Sequence, residues 1–148
     1  VLLVGHSQGG LLAVRAADEW TRQRRFTVTH VVTAGSPVAA LPVPAPVRVL
    51  SLENTRDPVP RLEAVRNPDR ANHVTVEFDA GHRRIADNHA LDRTYLPAAR
   101  AVSTPPYAGD PSVRDWVDSA DAFLAGEEVE VEVFDIRNAS VPRPRDGE

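Results

Sequence analysis

The chain has 148 residues, a net charge of −4 and a hydrophobic fraction of 42%. This length suits one domain and the apolar content can form a core, so disorder over the whole chain is excluded. The negative charge excludes a strongly basic nucleic-acid binder, and no apolar run approaches the roughly 20 residues of a membrane helix. Because there is no cysteine, disulfides, thiolate metal sites and cysteine nucleophiles are excluded as well.

The first part of the chain predicts strands that flank a helix. Val1–Val4 is continuously apolar, as is typical of a strand that is covered on both faces. Gly5–Gly10 predicts a turn, and a helix is expected over about Leu11–Gln23, where small and apolar residues recur at helical spacing. A second strand is expected over about Val28–Ala34, and the proline-rich segment Ser36–Pro46 predicts an extended surface loop.

The middle of the chain predicts two more strands. Val47–Leu52 is apolar and is followed by a turn over Glu53–Pro60. His73–Phe78 alternates apolar and polar residues, which indicates a fourth strand. After a loop, a short helix is expected to start near His89, and Pro97 is expected to bend or end it.

The C-terminal part predicts a helix and a strand. The helix is expected to be capped by Asp110 and to end at Gly126. Glu128–Phe134 alternates glutamate with valine, which indicates a half-exposed edge strand. We therefore expect residues 1–136 to belong to one domain and residues 137–148 to form a polar, disordered tail.

The order of these elements predicts an α/β fold with a mostly parallel sheet and crossover connections. The first strand is apolar on both faces, which is the pattern of a central strand, yet no strand precedes it in this sequence. We therefore expect the N-terminal strands of the sheet to be missing and the chain to be the later part of a longer domain.

The segment between the first strand and the helix, Gly5-His6-Ser7-Gln8-Gly9, fits the pattern G-x-S-x-G. In that pattern a serine occupies a sharp, strained turn, and the glycines, here Gly5 and Gly9, avoid steric clash. The N–H of Gln8, at the start of the helix, is then expected to point at an oxyanion. The alternative is a tight glycine turn that contains an incidental serine.

This motif resembles the nucleophile elbow of lipases, esterases and thioesterases of the α/β-hydrolase family. Thr33-Ala34-Gly35-Ser36-Pro37, at the end of the next strand, is similar to the corresponding segment of lipase-like members, including deacylases that act on glycolipid inositol. The resemblance covers about residues 1–100 and only the C-terminal half of the family's fold. It implies a partial α/β-hydrolase fold and a catalytic triad in the chain order serine, acid, histidine.

The family order places the acid after the second strand beyond the serine. Asp57 follows the predicted strand Val47–Leu52 and is therefore the candidate acid. An ordinary turn aspartate before a proline is the structural alternative for this residue. Glu53, which is nearer to the end of the strand, is the alternative acid.

The histidine of the triad is expected in the segment after the fourth strand. His89 opens a segment that resembles the histidine and short tyrosine-bearing helix of lipase-like relatives, so it is the candidate general base. His82 lies closer to the end of the strand and is the alternative. His73 and His30 are interpreted as structural strand residues, and His6 is expected to support the turn at Ser7.

These residues predict a serine ester hydrolase that forms an acyl-enzyme on Ser7, with His89 as base and Asp57 orienting its imidazole. The substrate is expected to be a small-molecule or lipid ester, and no metal or organic cofactor is expected. A thioesterase or acyltransferase is one alternative; another is a non-catalytic module, favoured if neither His82 nor His89 reaches Ser7. In the family a loop upstream of the elbow supplies the second oxyanion donor, so we expect this chain alone to be weakly active, inactive or poorly folded.

Overall fold

The computed structural model describes residues 1–124. Within that range four parallel strands form one sheet in the order β1-β2-β3-β4. Their bounds are Leu2–His6 for β1, His30–Ala34 for β2, Arg48–Asn54 for β3 and His73–Phe78 for β4. Consecutive strands that pair in parallel require crossover connections, so the predicted α/β class and parallel sheet are confirmed.

The helices of residues 1–124 connect and cover these strands. The α-helices are α1 Gln8–Gln23, α2 Ile85–His89, α3 Leu96–Ala101, α4 Pro111–Ser119 and α5 Asp121–Leu124. A π-helical turn spans Leu91–Tyr95, and 3-10 turns span Val59–Arg61 and Tyr107–Gly109. None of these helices is both long enough and apolar enough to cross a bilayer. The predicted helix end at Gly126, the strand Glu128–Phe134 and the tail 137–148 lie outside the described residues.

Apolar side chains form a core on each face of the sheet. Val14 of α1 and Val31 of β2 belong to one buried cluster, and Leu50 of β3 and Trp116 of α4 belong to the other. Val49 and Leu50 lie in opposite clusters because successive residues of a strand point to opposite faces. The sheet is therefore the middle of three layers, and the carboxyl ends of its parallel strands meet at one edge.

β1 lies at a side of the sheet and pairs with β2 alone among the described residues. Leu3 packs against the cluster beneath α1. Val4 points to the other face and is 69% exposed, because no described element covers that part of β1. Within residues 1–124 the first strand is thus an edge strand, and the expectation that further strands of the sheet are missing stays a prediction.

Two segments after β1 differ from their predictions. α1 begins at Gln8 rather than at Leu11, because Gly9 and Gly10, which were assigned to the turn, belong to the first turn of the helix. The segment Ser36–Pro46 is not only a surface loop. Val38 is fully buried in the cluster beneath α1, since the segment folds over that edge of the core.

The later helices also differ in detail. Pro97 lies in the first turn of α3, where a missing N–H costs no helical hydrogen bond, so it starts a helix instead of ending one. Asp110 caps α4 as predicted, and its Oδ1 accepts from the N–H of Ser112 at 2.7 Å. The helix does not continue uniformly, because Ala120 has φ −92° and ψ 0° and separates α4 from α5.

Candidate active site

Ser7 occupies the turn between β1 and α1 with φ 56° and ψ −126°. A residue with a side chain rarely adopts this backbone conformation, so the turn stores strain. Its N–H donates to the carbonyl of Ala34 at 2.9 Å, and its carbonyl accepts from the N–H of Gly10 at 3.1 Å. These bonds anchor the turn to the end of β2 and direct the Ser7 side chain towards the loops after β3 and β4.

The glycines around Ser7 do not have equal roles. A Cβ on Gly5 would lie 2.3 Å from the carbonyl oxygen of Gly9, so no side chain fits at Gly5. A Cβ on Gly9 would enter open space, so the prediction that Gly9 avoids a clash is wrong for the described residues. Gly10 has that role instead, because a Cβ there would lie 2.1 Å from Oγ of Ser36.

The structure brings the three predicted triad residues together. Oγ of Ser7 lies 2.9 Å from Nε2 of His89, and Nδ1 of His89 lies 2.6 Å from Oδ2 of Asp57. A carboxylate only accepts hydrogen bonds, so Nδ1 carries the proton and Nε2 is free to accept from the Ser7 hydroxyl. This is the tautomer that a general base facing Ser7 requires.

Asp57 lies in the turn after β3, and its side chain is fully buried. Its N–H donates to the carbonyl of Asn54 at 2.9 Å, which closes the turn. Oδ1 accepts from the N–H of Val59 at 3.0 Å, and Oδ2 accepts from the hydroxyl of Tyr95 at 2.6 Å as well as from His89. Three donors therefore offset the cost of burying this carboxylate.

His89 is the last residue of α2 and is held from two strands. The side-chain amide of Asn54, at the end of β3, donates to the carbonyl of Asn88 at 2.9 Å. His6, at the end of β1, donates from Nε2 to the carbonyl of His89 at 2.8 Å, and the two imidazole centroids lie 4.7 Å apart. His6 was expected to support the turn at Ser7, but its hydrogen bond supports the candidate base instead.

Gln8 is the first residue of α1, so the helix offers its N–H no carbonyl partner. The partial positive charge of the helix N-terminus adds to that of this N–H group. The position next to Ser7 agrees with the predicted role as an oxyanion donor, and that role stays a prediction.

The alternative acid and the alternative histidine lie elsewhere. Glu53 is buried on β3, and its Oε1 has no hydrogen-bond partner among the described residues. Burial raises the pKa of Glu53, and the nearby Glu77 carboxylate adds to this effect. His82 lines a groove with Phe78 and Tyr107. The acid that contacts the candidate base is therefore Asp57, and the histidine that contacts Ser7 is His89.

The strand histidines have structural contacts. Nε2 of His30 lies 3.0 Å from Oγ of Ser119, at the end of α4. His73 is fully buried, and its Nε2 lies 2.8 Å from Oγ of Ser51 on β3. Burial, together with the smaller effect of the Arg70 charge, lowers the pKa of His73 to about 4, so this imidazole is neutral at physiological pH.

Two residues of the site were not singled out from the sequence. Tyr95 donates to Asp57 from the π-helical turn, and Gly35 borders both side chains with φ +58°. A Cβ on Gly35 would lie 2.8 Å from the Tyr95 hydroxyl oxygen and 2.9 Å from Oδ2 of Asp57. The only signal for them was the resemblance of the two segments that contain them to lipase-like sequences.

No protein-family model matches this chain, and no curated protein or solved structure matches it significantly. The assignment of a function therefore rests on the geometry of the site and on the sequence motif.

Proposed function

We propose that this chain carries the catalytic triad of a serine hydrolase of the α/β-hydrolase type that cleaves a carboxylic ester of a lipid or another acyl compound. The observation that supports this most strongly is one hydrogen-bonded path: Ser7 Oγ to His89 Nε2 at 2.9 Å and His89 Nδ1 to Asp57 Oδ2 at 2.6 Å. The strained backbone at Ser7 agrees with it, since strain of this kind clusters at functional sites.

The reaction starts with the attack of Ser7 Oγ on the carbonyl carbon of the ester. His89 Nε2 takes the hydroxyl proton as the Oγ–C bond forms, and the carbonyl oxygen becomes an oxyanion. The N–H of Gln8 donates to that oxyanion from the start of α1. Asp57 keeps the imidazole in the required tautomer and stabilises its cation, because its Oδ2 contacts Nδ1.

The second half of the reaction returns the enzyme to its starting state. The C–O bond to the leaving alcohol breaks, and His89 Nε2 gives its proton to that alcohol, which leaves an acyl group on Ser7. Water then attacks the acyl carbon while His89 Nε2 takes one of its protons. The acid product leaves when the bond to Ser7 Oγ breaks and the proton returns to that oxygen.

The contacts at Ser7 differ from those that the non-catalytic alternative expects. It expects neither candidate histidine to reach Ser7, and His89 lies within hydrogen-bond distance of Oγ. An ester and a thioester pass through the same acyl-enzyme, so the thioesterase alternative shares this site and differs in the leaving group.

Steady-state hydrolysis of p-nitrophenyl acyl esters tests the proposal. Ser7→Ala and His89→Ala are each expected to lower kcat by about 10⁴-fold or more, and His82→Ala serves as the matched control that leaves kcat unchanged. Hydrolysis that survives Ser7→Ala at the wild-type rate would contradict the proposal. A higher kcat/KM for the thioester with the same acyl chain would favour the thioesterase.

A further inference from the structure

The carboxylate of Asp57 receives two side-chain donors on a single oxygen. Nδ1 of His89 and the hydroxyl oxygen of Tyr95 both lie 2.6 Å from Oδ2. The other oxygen, Oδ1, accepts the backbone N–H of Val59. An acceptor that serves two donors holds each of them less strongly than it would hold one alone, so Tyr95 and His89 compete for the same charge.

The local backbone builds this shared contact. Tyr95 ends the π-helical turn Leu91–Tyr95, and its side chain is almost completely buried. π-Helical turns are rare and occur often at functional sites. Gly35 leaves just enough room between the ring and the carboxylate, because a Cβ there would lie within 2.9 Å of both. The surrounding backbone therefore holds the Tyr95 hydroxyl against Asp57, and the contact is made by a buried side chain and not by a mobile surface side chain.

Tyr95 stays a donor over the pH range in which the enzyme would work. Burial raises the pKa of Tyr95 well above its ordinary range, and the hydrogen bond to Asp57 raises it further. The phenol therefore keeps its proton, and the contact with Oδ2 is always a donated hydrogen bond.

Within residues 1–124, ionisable groups face His89 and Tyr95 from β1, from β3 and the loop after it, and from the π-helical turn. His6 faces His89 from β1, and Asp57 faces it from the loop after β3. Tyr95 packs edge-on against the same ring, with 6.5 Å between the ring centroids. Glu53 acts on Tyr95 from β3 and favours the neutral phenol, as Asp57 does.

We infer that Tyr95 is a positioning residue that acts through Asp57: its hydroxyl neutralises part of the charge on Oδ2 and limits how strongly the carboxylate holds the proton on His89 Nδ1. This inference rests on the proposed function, because it concerns the same triad. Asp57 still orients the imidazole, while part of its charge is directed to the Tyr95 hydroxyl instead of to Nδ1.

The chain offers a matched pair of variants for the test, since Tyr95 and Tyr107 are its only tyrosines. Tyr95→Phe removes the donor and keeps the ring, whereas Tyr107→Phe removes a hydroxyl from a partly buried ring outside the triad. Two quantities are measured: the ¹H NMR resonance of the His89 Nδ1 proton, and the pH at the midpoint of the acid limb of Ser7 phosphonylation by a fluorophosphonate.

Loss of the Tyr95 donor leaves Oδ2 a stronger acceptor for His89. In Tyr95→Phe the Nδ1 proton is expected to resonate further downfield. The acid limb is expected to move to higher pH by about half a unit, a shift that corresponds to part of the free energy of one hydrogen bond. Tyr107→Phe is expected to change neither quantity. A residue that only fills space would lower the rate at every pH without moving the acid limb.

Incorporation of 3-fluorotyrosine into the Tyr107→Phe protein changes Tyr95 alone and serves if Tyr95→Phe does not fold. The fluorinated phenol is a stronger donor, so both quantities are expected to move in the opposite direction. Unchanged values in the two Tyr95 substitutions would overturn the inference even if Ser7 reacts. A shifted Nδ1 resonance together with hydrolysis that survives Ser7→Ala would support the role of Tyr95 and contradict the proposed function.

Discussion

The imidazole of His6 lies against that of His89, with ring centroids 4.7 Å apart, and its Nε2 donates to the His89 carbonyl at 2.8 Å. The carbonyl only accepts, so Nε2 of His6 carries a proton. One residue of the serine motif therefore fixes the backbone of the candidate base, which lies 83 residues later in the chain.

This contact predicts a loss of activity in His6→Ala. The variant removes a hydrogen bond worth about 1 kcal/mol and the ring that packs on His89, so Ser7 phosphonylation is expected to slow by about tenfold. The rate of reaction with a fluorophosphonate measures the effect, and His82→Ala is the control that keeps the wild-type rate. An unchanged rate in His6→Ala would mean that the contact does not position the base.

A pair of glycine substitutions tests the geometry of the turn. Gly5→Ala places a Cβ 2.3 Å from the Gly9 carbonyl oxygen, which is backbone and cannot move aside, so the variant is expected to lower both the melting temperature and Ser7 reactivity. Gly9→Ala adds a methyl group in open space within α1, where alanine is favoured over glycine by about 1 kcal/mol, so it is expected to keep or raise the melting temperature. Thermal denaturation that ranks the two variants in the reverse order would contradict the structure.

His73 predicts a pH dependence of stability. The unfolded chain protonates this imidazole near pH 6.5, whereas the folded chain does so only near pH 4. The unfolded state therefore binds more protons between these values, and the free energy of unfolding falls as the pH is lowered through this window, by up to about 3 kcal/mol.

His73→Gln tests this window because the amide cannot be protonated there and can still bond to Ser51. Urea denaturation between pH 4 and 7 is expected to show a flatter profile for His73→Gln than for the wild type. His82→Gln should retain the wild-type slope. If His73→Gln has that slope too, His73 does not cause the acid sensitivity.

Glu53 predicts the opposite trend. Its folded pKa lies above the ordinary value of 4.5, so the folded state binds more protons and stability falls as the pH rises above 4.5. Glu53→Gln removes the buried charge and is expected to melt at a higher temperature than the wild type at pH 8, with a smaller difference at pH 4. The exposed Glu19→Gln is the control without such a difference. If Glu53→Gln instead melts at a lower temperature than the wild type, with the largest difference at pH 8, the charged carboxylate stabilises the fold.

Much of the candidate site could be predicted because its chemistry is tied to local patterns. The motif around Ser7 has a fixed backbone shape. The resemblance to α/β-hydrolases implied the chain order that made Asp57 and His89 candidates, and the resemblance of the segment at His89 favoured it over His82. The parallel sheet followed from the order of the predicted strands and helices.

Other features depend on contacts that no local pattern encodes. The need for glycine at Gly10 comes from Ser36, which approaches it from the end of β2, so the sequence pattern assigned that need to Gly9. The π-helical turn that turns Tyr95 towards Asp57 has no period of its own in the sequence. Val38 is buried through tertiary packing, although its segment has the composition of a surface loop.

The most direct measurement of the central claim is fluorophosphonate labelling of the full chain with mass-spectrometric mapping of the modified peptide. One label is expected, on Ser7. It is expected to be lost in His89→Ala and strongly reduced in Asp57→Asn, and circular dichroism should show that both variants remain folded. A folded wild-type chain that takes its label on another serine such as Ser36, or a label on Ser7 that persists in His89→Ala, would contradict the claim that Ser7, His89 and Asp57 act as a triad.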